Sequence, residues 1–212
     1  MTAPVWTIVL GGGSSARFGR PKQFVDLGGC SVIGRSVATA LQISDGVVVV
    51  LPPDAVWNGP EAVIRVANGA TRSQSARNGL AAVPSDAAIV IVHDGARPLA
   101  TEALFRAVID AVVRGADAAI PALAMSDTVK RVDGALVVET VVRENLVTVQ
   151  TPQAFRAGAL RGAHSAGHDD TDDAALVEAR GGRVVIVNGE QRNIKITVPE
   201  DLLVAHALLE NL

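Results

Sequence analysis

Short apolar runs alternate along most of the chain with segments in which apolar residues recur at helical spacing. The runs at residues 5–10, 47–51 and 88–92 are almost wholly apolar and too short for core helices. Buried parallel strands have this composition, because helices cover both faces of such a sheet. Between them, a segment such as about 31–43 places apolar side chains on one helical face. The alternation predicts an α/β fold, a Rossmann-like and mostly parallel sheet with helices on both faces.

The pattern changes after Met125. Residues 126–132 alternate polar and apolar side chains, Asp133-Gly134 follows, and a second strand-like run covers 136–142. Asp-Gly between two such runs is a strong hairpin signal. A hairpin of two strands is marginally stable in water, so we expect it to pack on something, most simply on a second copy of the chain. We predict one domain over residues 1–212 with a hairpin arm at about 126–145.

A glycine-rich loop follows the first predicted strand. Gly11, Gly12 and Gly13 let the backbone turn sharply and come close to a ligand. A loop that leaves the end of a strand can point several N–H groups at a phosphate. Arg17 and Lys22 add two positive charges after the loop. The pattern predicts a site for a highly charged anion such as a nucleotide triphosphate.

Other kinds of glycine loop fit this stretch less well. A dinucleotide fingerprint needs an acidic residue about 20 residues further on, whereas the second predicted strand ends near Leu51 and only Asp54 follows it. A Walker P-loop needs Gly-Lys-Ser/Thr, and the chain has Gly19-Arg20-Pro21 instead. A purely structural glycine turn stays open as an alternative.

Composition and charge narrow the class of partner. The net charge of -3 argues against a nucleic-acid partner held by general electrostatics. The single cysteine, Cys30, excludes an internal disulfide and indicates a reducing compartment. No apolar run reaches the ~18 residues of a membrane span, and no basic segment with a signal core opens the chain. We expect a cytoplasmic protein with neither a membrane nor a nucleic-acid partner.

Isolated polar residues mark further candidate positions. Asp94 ends the third predicted strand, and ligands of open α/β sheets bind beyond the carboxyl ends of strands. A carboxylate there can position Mg²⁺ or accept hydrogen bonds from substrate hydroxyls. Its neighbour His93 is interpreted as a packed residue. Lys195 is a lone charge in an otherwise apolar, strand-like run, which favours contact with a ligand.

One acidic segment, His168-Asp169-Asp170-Thr171-Asp172-Asp173, is a weaker candidate for a metal site. Crowded carboxylates more often form a solvated loop and favour the start of a helix. We interpret the segment in that way.

Several motifs resemble those of the 2-C-methyl-D-erythritol 4-phosphate cytidylyltransferases of the non-mevalonate isoprenoid pathway. In chain order they are G-G-G-x-x-x-R-x-x-x-P-K-Q from Gly11, the turn with Gly69, Arg72 and Ser75, H-D-x-A-R-P from His93, D-T-x-K from Asp127, T-P-Q from Thr151, T-D-x-A from Thr171 and N-I-K-I-T-x-P-E-D-L from Asn193. The resemblance implies an enzyme that joins CTP and 2-C-methyl-D-erythritol 4-phosphate and releases pyrophosphate.

The resemblance also implies a role for each matching residue. Arg17, Lys22 and Lys195 would be catalytic. The nucleotide would be held by the glycine loop (Gly11, Gly12, Gly13) with Gly69, Arg72 and Ser75. The polyol phosphate would be seated by Asp94, Arg97, Thr128, Thr171 and by Arg143 reaching from the other subunit of a homodimer. Mg²⁺ would be held mainly by the CTP phosphates, with Asp94 as a candidate protein ligand.

The chain departs from the family's pattern near the glycine loop. Leu10-Gly11-Gly12 stands where many relatives carry Pro-Ala-Ala, and Ser15 replaces a common glycine. Asn68 and Ala70 stand where relatives often have Gly and an acidic residue. Leu-x-Gly-Gly is similar to ribitol-5-phosphate cytidylyltransferases, which are the alternative activity, whereas D-T-V-K and T-D-D-A favour the erythritol branch. A nucleotide-sensing protein without catalysis is a further alternative, but it would need neither Lys195 nor the arm.

Overall fold

The computed structural model describes residues 3–13, 15, 17–165, 167, 169–170 and 172–210. The strands within these residues are β1 (Val5–Leu10), β2 (Gly46–Leu51), β3 (Ile64–Ala67), β4 (Ile89–Asp94), β5 (Ala118–Ala124), β6 (Val129–Asp133), β7 (Leu136–Val141), β8 (Val147–Val149), β9 (Gln153–Arg156) and β10 (Val184–Asn188). The helices are α1 (Val32–Ile43), α2 (Arg72–Ala81), α3 (Glu102–Val113), α4 (Ala157–His164), α5 (Asp173–Glu178) and α6 (Pro199–Glu210).

The predicted sheet is confirmed, and most of its pairs are parallel. Its strand order is β10-β5-β9-β4-β1-β2-β3, and β8 pairs with the end of β5. The parallel pairs are β1 with β2 and β4, β2 with β3, and β5 with β10. The exceptions are β8 and β9, which run antiparallel to their neighbours. Sequence reasoning did not predict β9, because a four-residue strand that begins with Gln153 shows no hydrophobic run.

Helices cover both faces of the sheet, as the all-apolar strands require. Side chains alternate along β1, so Ile8 packs into one hydrophobic cluster and Val9 into the other. Helices α2, α4 and α5 supply the first cluster, for example through Leu160. Helices α1 and α3 supply the second, for example through Ile33 and Phe105. All five of these side chains are fully buried.

Hydroxyl side chains fix where three of the helices begin. Ser31, Thr71 and Thr101 each accept a hydrogen bond from the backbone N–H three residues further on, at 3.0–3.1 Å. These N-caps satisfy donors that a helix leaves unpaired in its first turn. Thr71 therefore sets the start of α2 beside the glycine loop.

The predicted hairpin is present as a two-stranded sheet of its own, β6 with β7. Gly134 turns it with a φ of +57°, in the left-handed region that glycine tolerates best. The arm leaves large apolar side chains in solvent, including Leu136 at 70% and Val142 at 68% exposure. Within the described part of the chain, no helix is both long and apolar enough to cross a membrane.

One expectation about the C-terminal part is wrong. The run around Lys195 forms no strand, since residues 193–197 make an extended segment outside the sheet. In α6, which follows, the side chain of Leu203 is 71% exposed. The face that packs consists of Leu202, Ala205, Leu208 and Leu209.

Candidate active site

A cavity of about 620 Å³ opens at the carboxyl ends of the parallel strands. Ten predicted residues line it together: Gly11, Gly12, Gly13, Arg17, Lys22, Gly69, Arg72, Ser75, Asp94 and Lys195. Strands β1, β3 and β4 end at this cavity, where they lead into the loop, the 68–71 turn and Asp94. The sheet thus brings together residues from distant parts of the chain.

The three glycines of the loop meet different surroundings. A Cβ at Gly11 would lie 2.3 Å from Ile33 Cδ1 and 2.9 Å from Leu51 Cδ2, so a side chain there would require these core side chains or the loop to shift. A Cβ at Gly13 would meet no protein atom within 4 Å. Gly13 therefore leaves its side of the loop open toward the cavity.

Gln23 fixes the conformation of the glycine loop through side-chain hydrogen bonds. This buried side chain donates from Nε2 to Gly11 O at 3.0 Å and accepts from Ser15 Oγ at 3.1 Å. Ser15 Oγ also accepts from the backbone N–H of Lys22, at 3.2 Å. Ser15 has a φ of +55°, which explains why glycine is common here in the family's pattern. Sequence reasoning missed Gln23, whose only signal is its place in the P-K-Q motif.

Three cations surround the open side of the loop. Arg17 is exposed, Lys22 is half-buried, and Lys195 approaches from the segment after β10. Partial burial lowers the pKa of Lys22, and the charges of Lys195 and Arg17 lower it further. Their mutual repulsion would be relieved by a bound polyanion.

Asp94 is the carboxylate on which several cations converge. Its Oδ2 lies 2.7 Å from Lys195 Nζ, and its Oδ1 lies 3.8 Å from Arg72 Nε. Burial by itself raises the pKa of Asp94, but the charges of Lys195 and Arg72 outweigh it and hold that pKa well below its usual range. Asp94 is therefore ionised and holds the ammonium group of Lys195 in the cavity wall.

Arg72 lies between two carboxylates. Its Nη1 is 2.7 Å from Asp173 Oδ2, and the other oxygen of Asp173 accepts from His164 Nε2 at 3.0 Å. Although burial raises the pKa of Asp173, the hydrogen bond from His164 and the charge of Arg72 keep it below its usual value. The prediction of a solvated loop is thus wrong for Asp173, which is fully buried at the start of α5.

Asp169 and Asp170 are exposed, as expected for a solvated loop, although the backbone of Asp170 is tied to α2. Ser73 Oγ donates to Asp170 O at 2.7 Å and accepts from Asp170 N at 2.9 Å. Among the residues that the structure describes, no group of three His, Cys, Asp or Glu side chains could hold a metal ion. His168 and the predicted substrate contact Thr171 lie outside those residues.

Arg97 is directed at the main chain and does not line the cavity. Its Nη1 donates to Asn193 O at 2.7 Å, two residues before Lys195. The side chain of Asn193, fully buried, donates in turn to Thr151 O at 2.9 Å and to Gln150 Oε1 at 3.3 Å. These contacts fix the extended segment that carries Lys195, which no strand ladder holds.

His93 is packed, as its sequence position suggested. The ring is fully buried, with Nδ1 at 3.1 Å from Thr151 Oγ1 and Nε2 at 3.2 Å from Arg97 O. Burial lowers the pKa of His93 to about 4, so the imidazole is neutral near pH 7. It supports β4 next to Asp94 and makes no contact with the cavity.

The two residues of the arm that were predicted to contact the substrate phosphate do not lie at the cavity of their own chain. Thr128 and Arg143 are exposed at the base of the hairpin, and neither lines the cavity. The guanidinium of Arg143 donates to the carbonyl oxygen of Ser126. Within one chain, the arm therefore brings no side chain to the site.

A glycine loop with its cations at the strand ends of such a sheet defines an α/β protein built to hold a polyphosphate. The family model described as 2-C-methyl-D-erythritol 4-phosphate cytidylyltransferase matches residues 5–211. The chain belongs to this family, and the resemblance seen in its motifs is confirmed.

Individual relatives agree with this assignment. A 2-C-methyl-D-erythritol 4-phosphate cytidylyltransferase of Rubrobacter xylanophilus is 41% identical over 215 residues, with 95% of this chain and 93% of the relative covered. The crystal structure of the enzyme of that name from Thermus thermophilus superposes with a TM-score of 0.84 at 34% identity, covering 96% of this chain and 98% of the other. A bifunctional IspD/IspF enzyme of Anaeromyxobacter dehalogenans is 44% identical over 220 residues, and this chain, matched over 96% of its length, covers 56% of the relative.

Proposed function

We propose that this protein joins CTP and 2-C-methyl-D-erythritol 4-phosphate to give 4-diphosphocytidyl-2-C-methyl-D-erythritol and pyrophosphate. The observation that carries the proposal is the convergence of Lys22 and Lys195 on one side of the glycine loop, in a member of this family. Phosphoryl and nucleotidyl transfer need positioned anions and neutralised charge more than they need a base. The cavity supplies those two things.

The triphosphate lies along the glycine loop in this proposal. Backbone N–H groups near the open face at Gly13 point to the phosphates, and Arg17 and Lys22 pair with their charge. The turn that begins at Gly69 holds the cytosine base and the ribose. Gly69 N donates to Ser75 Oγ at 3.1 Å, so Ser75 acts chiefly by shaping that turn.

The reaction is an in-line displacement at the α-phosphorus of CTP. An oxygen of the acceptor's 4-phosphate forms the new P–O bond, the bond to the β-phosphate oxygen breaks, and pyrophosphate leaves. Lys195 stabilises the negative charge that gathers on the α-phosphate oxygens. Its ammonium has three donors, so it can keep its contact with Asp94 and still reach a phosphate.

A divalent cation in this cavity would need phosphate oxygens of the substrate as ligands. Asp94 is the one carboxylate among the described residues that line the cavity, and it is ionised. Mg²⁺ usually takes one or two carboxylates and completes its shell with phosphate oxygens and water. We therefore assign Mg²⁺ mainly to the CTP phosphates, with Asp94 as its candidate protein ligand. When bound, Mg²⁺ neutralises phosphate charge.

We also propose that the acceptor's phosphate is bound by two chains of a homodimer. Arg143 and Thr128 are distant from their own cavity, and the arm that carries them exposes Leu136 and Val142. Exchange of the arms would cover these apolar side chains and deliver Arg143 to the partner's site, where Thr171 completes the phosphate contacts. Arg97 contributes indirectly, because it holds the segment that carries Lys195.

We expect the protein to act in the cytoplasm.

Nucleotide choice tests the proposed function. The turn at Gly69 is tight, since a Cβ there would lie 1.9 Å from Gln74 Cγ, and we expect it to admit a pyrimidine better than a purine. Pyrophosphate release with 2-C-methyl-D-erythritol 4-phosphate should be much faster with CTP than with ATP or GTP. Comparable turnover with ATP would contradict the assignment of this turn to the base.

A further inference from the structure

Asn68 lines the cavity between the two segments assigned to the nucleotide. It directly follows β3, and its backbone N–H donates to Leu51 O at 2.8 Å, which continues the pairing of β3 with β2. Its backbone position is therefore fixed by the sheet. The side chain extends from that fixed point toward the glycine loop.

The side chain of Asn68 packs directly on Gly12. A Cβ placed on Gly12 would lie 2.4 Å from Asn68 Cβ and 2.9 Å from Asn68 Cγ, whereas non-bonded carbons prefer about 3.5–4.0 Å. A Cβ cannot rotate away, so relief would require the backbone of one segment to move. Position 12 must be glycine because the Cβ and Cγ of Asn68 occupy the space that a side chain there would need. Both positions are among those at which the chain departs from the family's pattern.

The orientation of the Asn68 amide is set by its own neighbour. Nδ2 donates to Gly69 O at 2.8 Å, and only the NH₂ end of the amide can donate. The carbonyl end, Oδ1, has no hydrogen-bond donor among the residues that the structure describes. Asn68 is only partly buried and lines the cavity, so Oδ1 is a free acceptor on a residue of the cavity wall.

We propose that Asn68 is a specificity residue that reads the cytosine base. Its Oδ1 accepts a hydrogen bond from the 4-amino group of CTP, a donor that UTP replaces with a carbonyl oxygen. Two acceptors facing each other would disfavour UTP. The inference rests on the proposed function only in placing the base at the turn of Gly69.

The variant Asn68→Ala removes the acceptor and keeps the Cβ that packs on Gly12. Loss of one hydrogen bond should weaken CTP binding about two- to tenfold and reduce the preference for CTP over UTP by a similar factor. The KM for the acceptor substrate should not change. Titration of CTP and of UTP without acceptor measures this directly, and thermal unfolding shows whether the variant is folded. An unchanged ratio of the CTP and UTP dissociation constants would overturn the proposal.

These titrations separate this proposal from the proposed reaction. If CTP is favoured over UTP in the wild type and Asn68→Ala removes the preference, Asn68 reads the base even if no turnover with 2-C-methyl-D-erythritol 4-phosphate is found. In that case only the reaction is wrong. A wild-type protein that binds CTP and UTP equally would overturn the role of Asn68, whatever its turnover.

A second set of variants tests the contact with Gly12. Gly12→Ala should weaken CTP binding, because the added methyl group would push Asn68 and the turn out of place. In the double variant with Asn68→Gly, affinity should return to that of Asn68→Gly alone. In the double variant with Asn68→Ala it should not, because the clashing Cβ persists. Additive effects in both double variants would show that the two residues act independently and would overturn the packing argument.

Discussion

Replacement of Asp173 by Asn tests whether the ion pair behind the cavity positions Arg72. The substitution keeps the size of the side chain and removes its charge. Arg72 Nη1 then loses its carboxylate at 2.7 Å, and the nearest remaining one is Asp94, 3.8 Å from Arg72 Nε. We expect Arg72 to turn toward Asp94 and to compete there with Lys195.

The structure sets the size of the effect on stability. Breaking a buried ion pair by removing one partner costs about 3–5 kcal/mol. The side chain of Arg72 is 26% exposed and keeps Asp94 within reach, so we expect a smaller loss, about 2–3 kcal/mol. For a chain of this size, that loss corresponds to a fall in Tm of roughly 4–12 °C.

Two assays and one control separate positioning from general destabilisation. Denaturant unfolding gives the loss in free energy, and turnover well below the new Tm should fall at least about tenfold, the value of one hydrogen bond between charged groups. Glu178→Gln removes a charge from an exposed position on the same helix and should alter neither quantity. If Asp173→Asn lost stability but kept full turnover when folded, the proposed positioning of Arg72 would be wrong.

The difference between Asp173→Asn and the wild type should depend on pH with a defined sign. The pKa of Asp173 is lowered in the folded protein, because the hydrogen bond from His164 and the charge of Arg72 outweigh the effect of burial. Its contribution to stability is therefore fully present above the unfolded value of about 3.9 and is lost as the pH falls through the lower, folded value. The two unfolding free energies should converge only in strong acid.

Two further predictions concern the phosphate contacts. Lys22→Ala and Arg17→Ala should each lower kcat/KM at least about tenfold with little change in Tm. The control variant Arg20→Ala lies outside this cavity and should retain activity. Near-normal turnover in Lys22→Ala would refute the role of the loop. Mixing inactive Arg143→Ala and Lys22→Ala chains should restore activity, because one site of each heterodimer carries both lesions and the other neither. No recovery in verified heterodimers would contradict exchange of the arm.

Features that depend on local pattern were predictable from the sequence. Apolar runs identified β1, β2 and β4, and the rule that ligands lie at strand ends placed Asp94 and the glycine loop at one cavity. The isolated charge of Lys195 marked a residue of the cavity wall, although its segment is not a strand. The hairpin was predictable because Asp133-Gly134 is a local turn signal.

Features that depend on long-range contacts were not predictable. Asp173 meets Arg72 across 101 positions of the chain, so nothing in its acidic neighbourhood distinguishes it from a solvated carboxylate. Gln23 is hidden in the same way, because a buried amide that holds a loop has no periodic signature. Asn68 was visible only as a departure from a motif, and its packing on Gly12 explains that departure.

In the proposed reaction, this chain transfers a cytidylyl group to one particular polyol phosphate. The most direct test supplies CTP and Mg²⁺ with either 2-C-methyl-D-erythritol 4-phosphate or ribitol 5-phosphate, and measures pyrophosphate together with the nucleotide product. We predict one pyrophosphate and one 4-diphosphocytidyl-2-C-methyl-D-erythritol per turnover, with little reaction of ribitol 5-phosphate. Preferred turnover of ribitol 5-phosphate, or pyrophosphate release without the cytidyl product, would contradict the account.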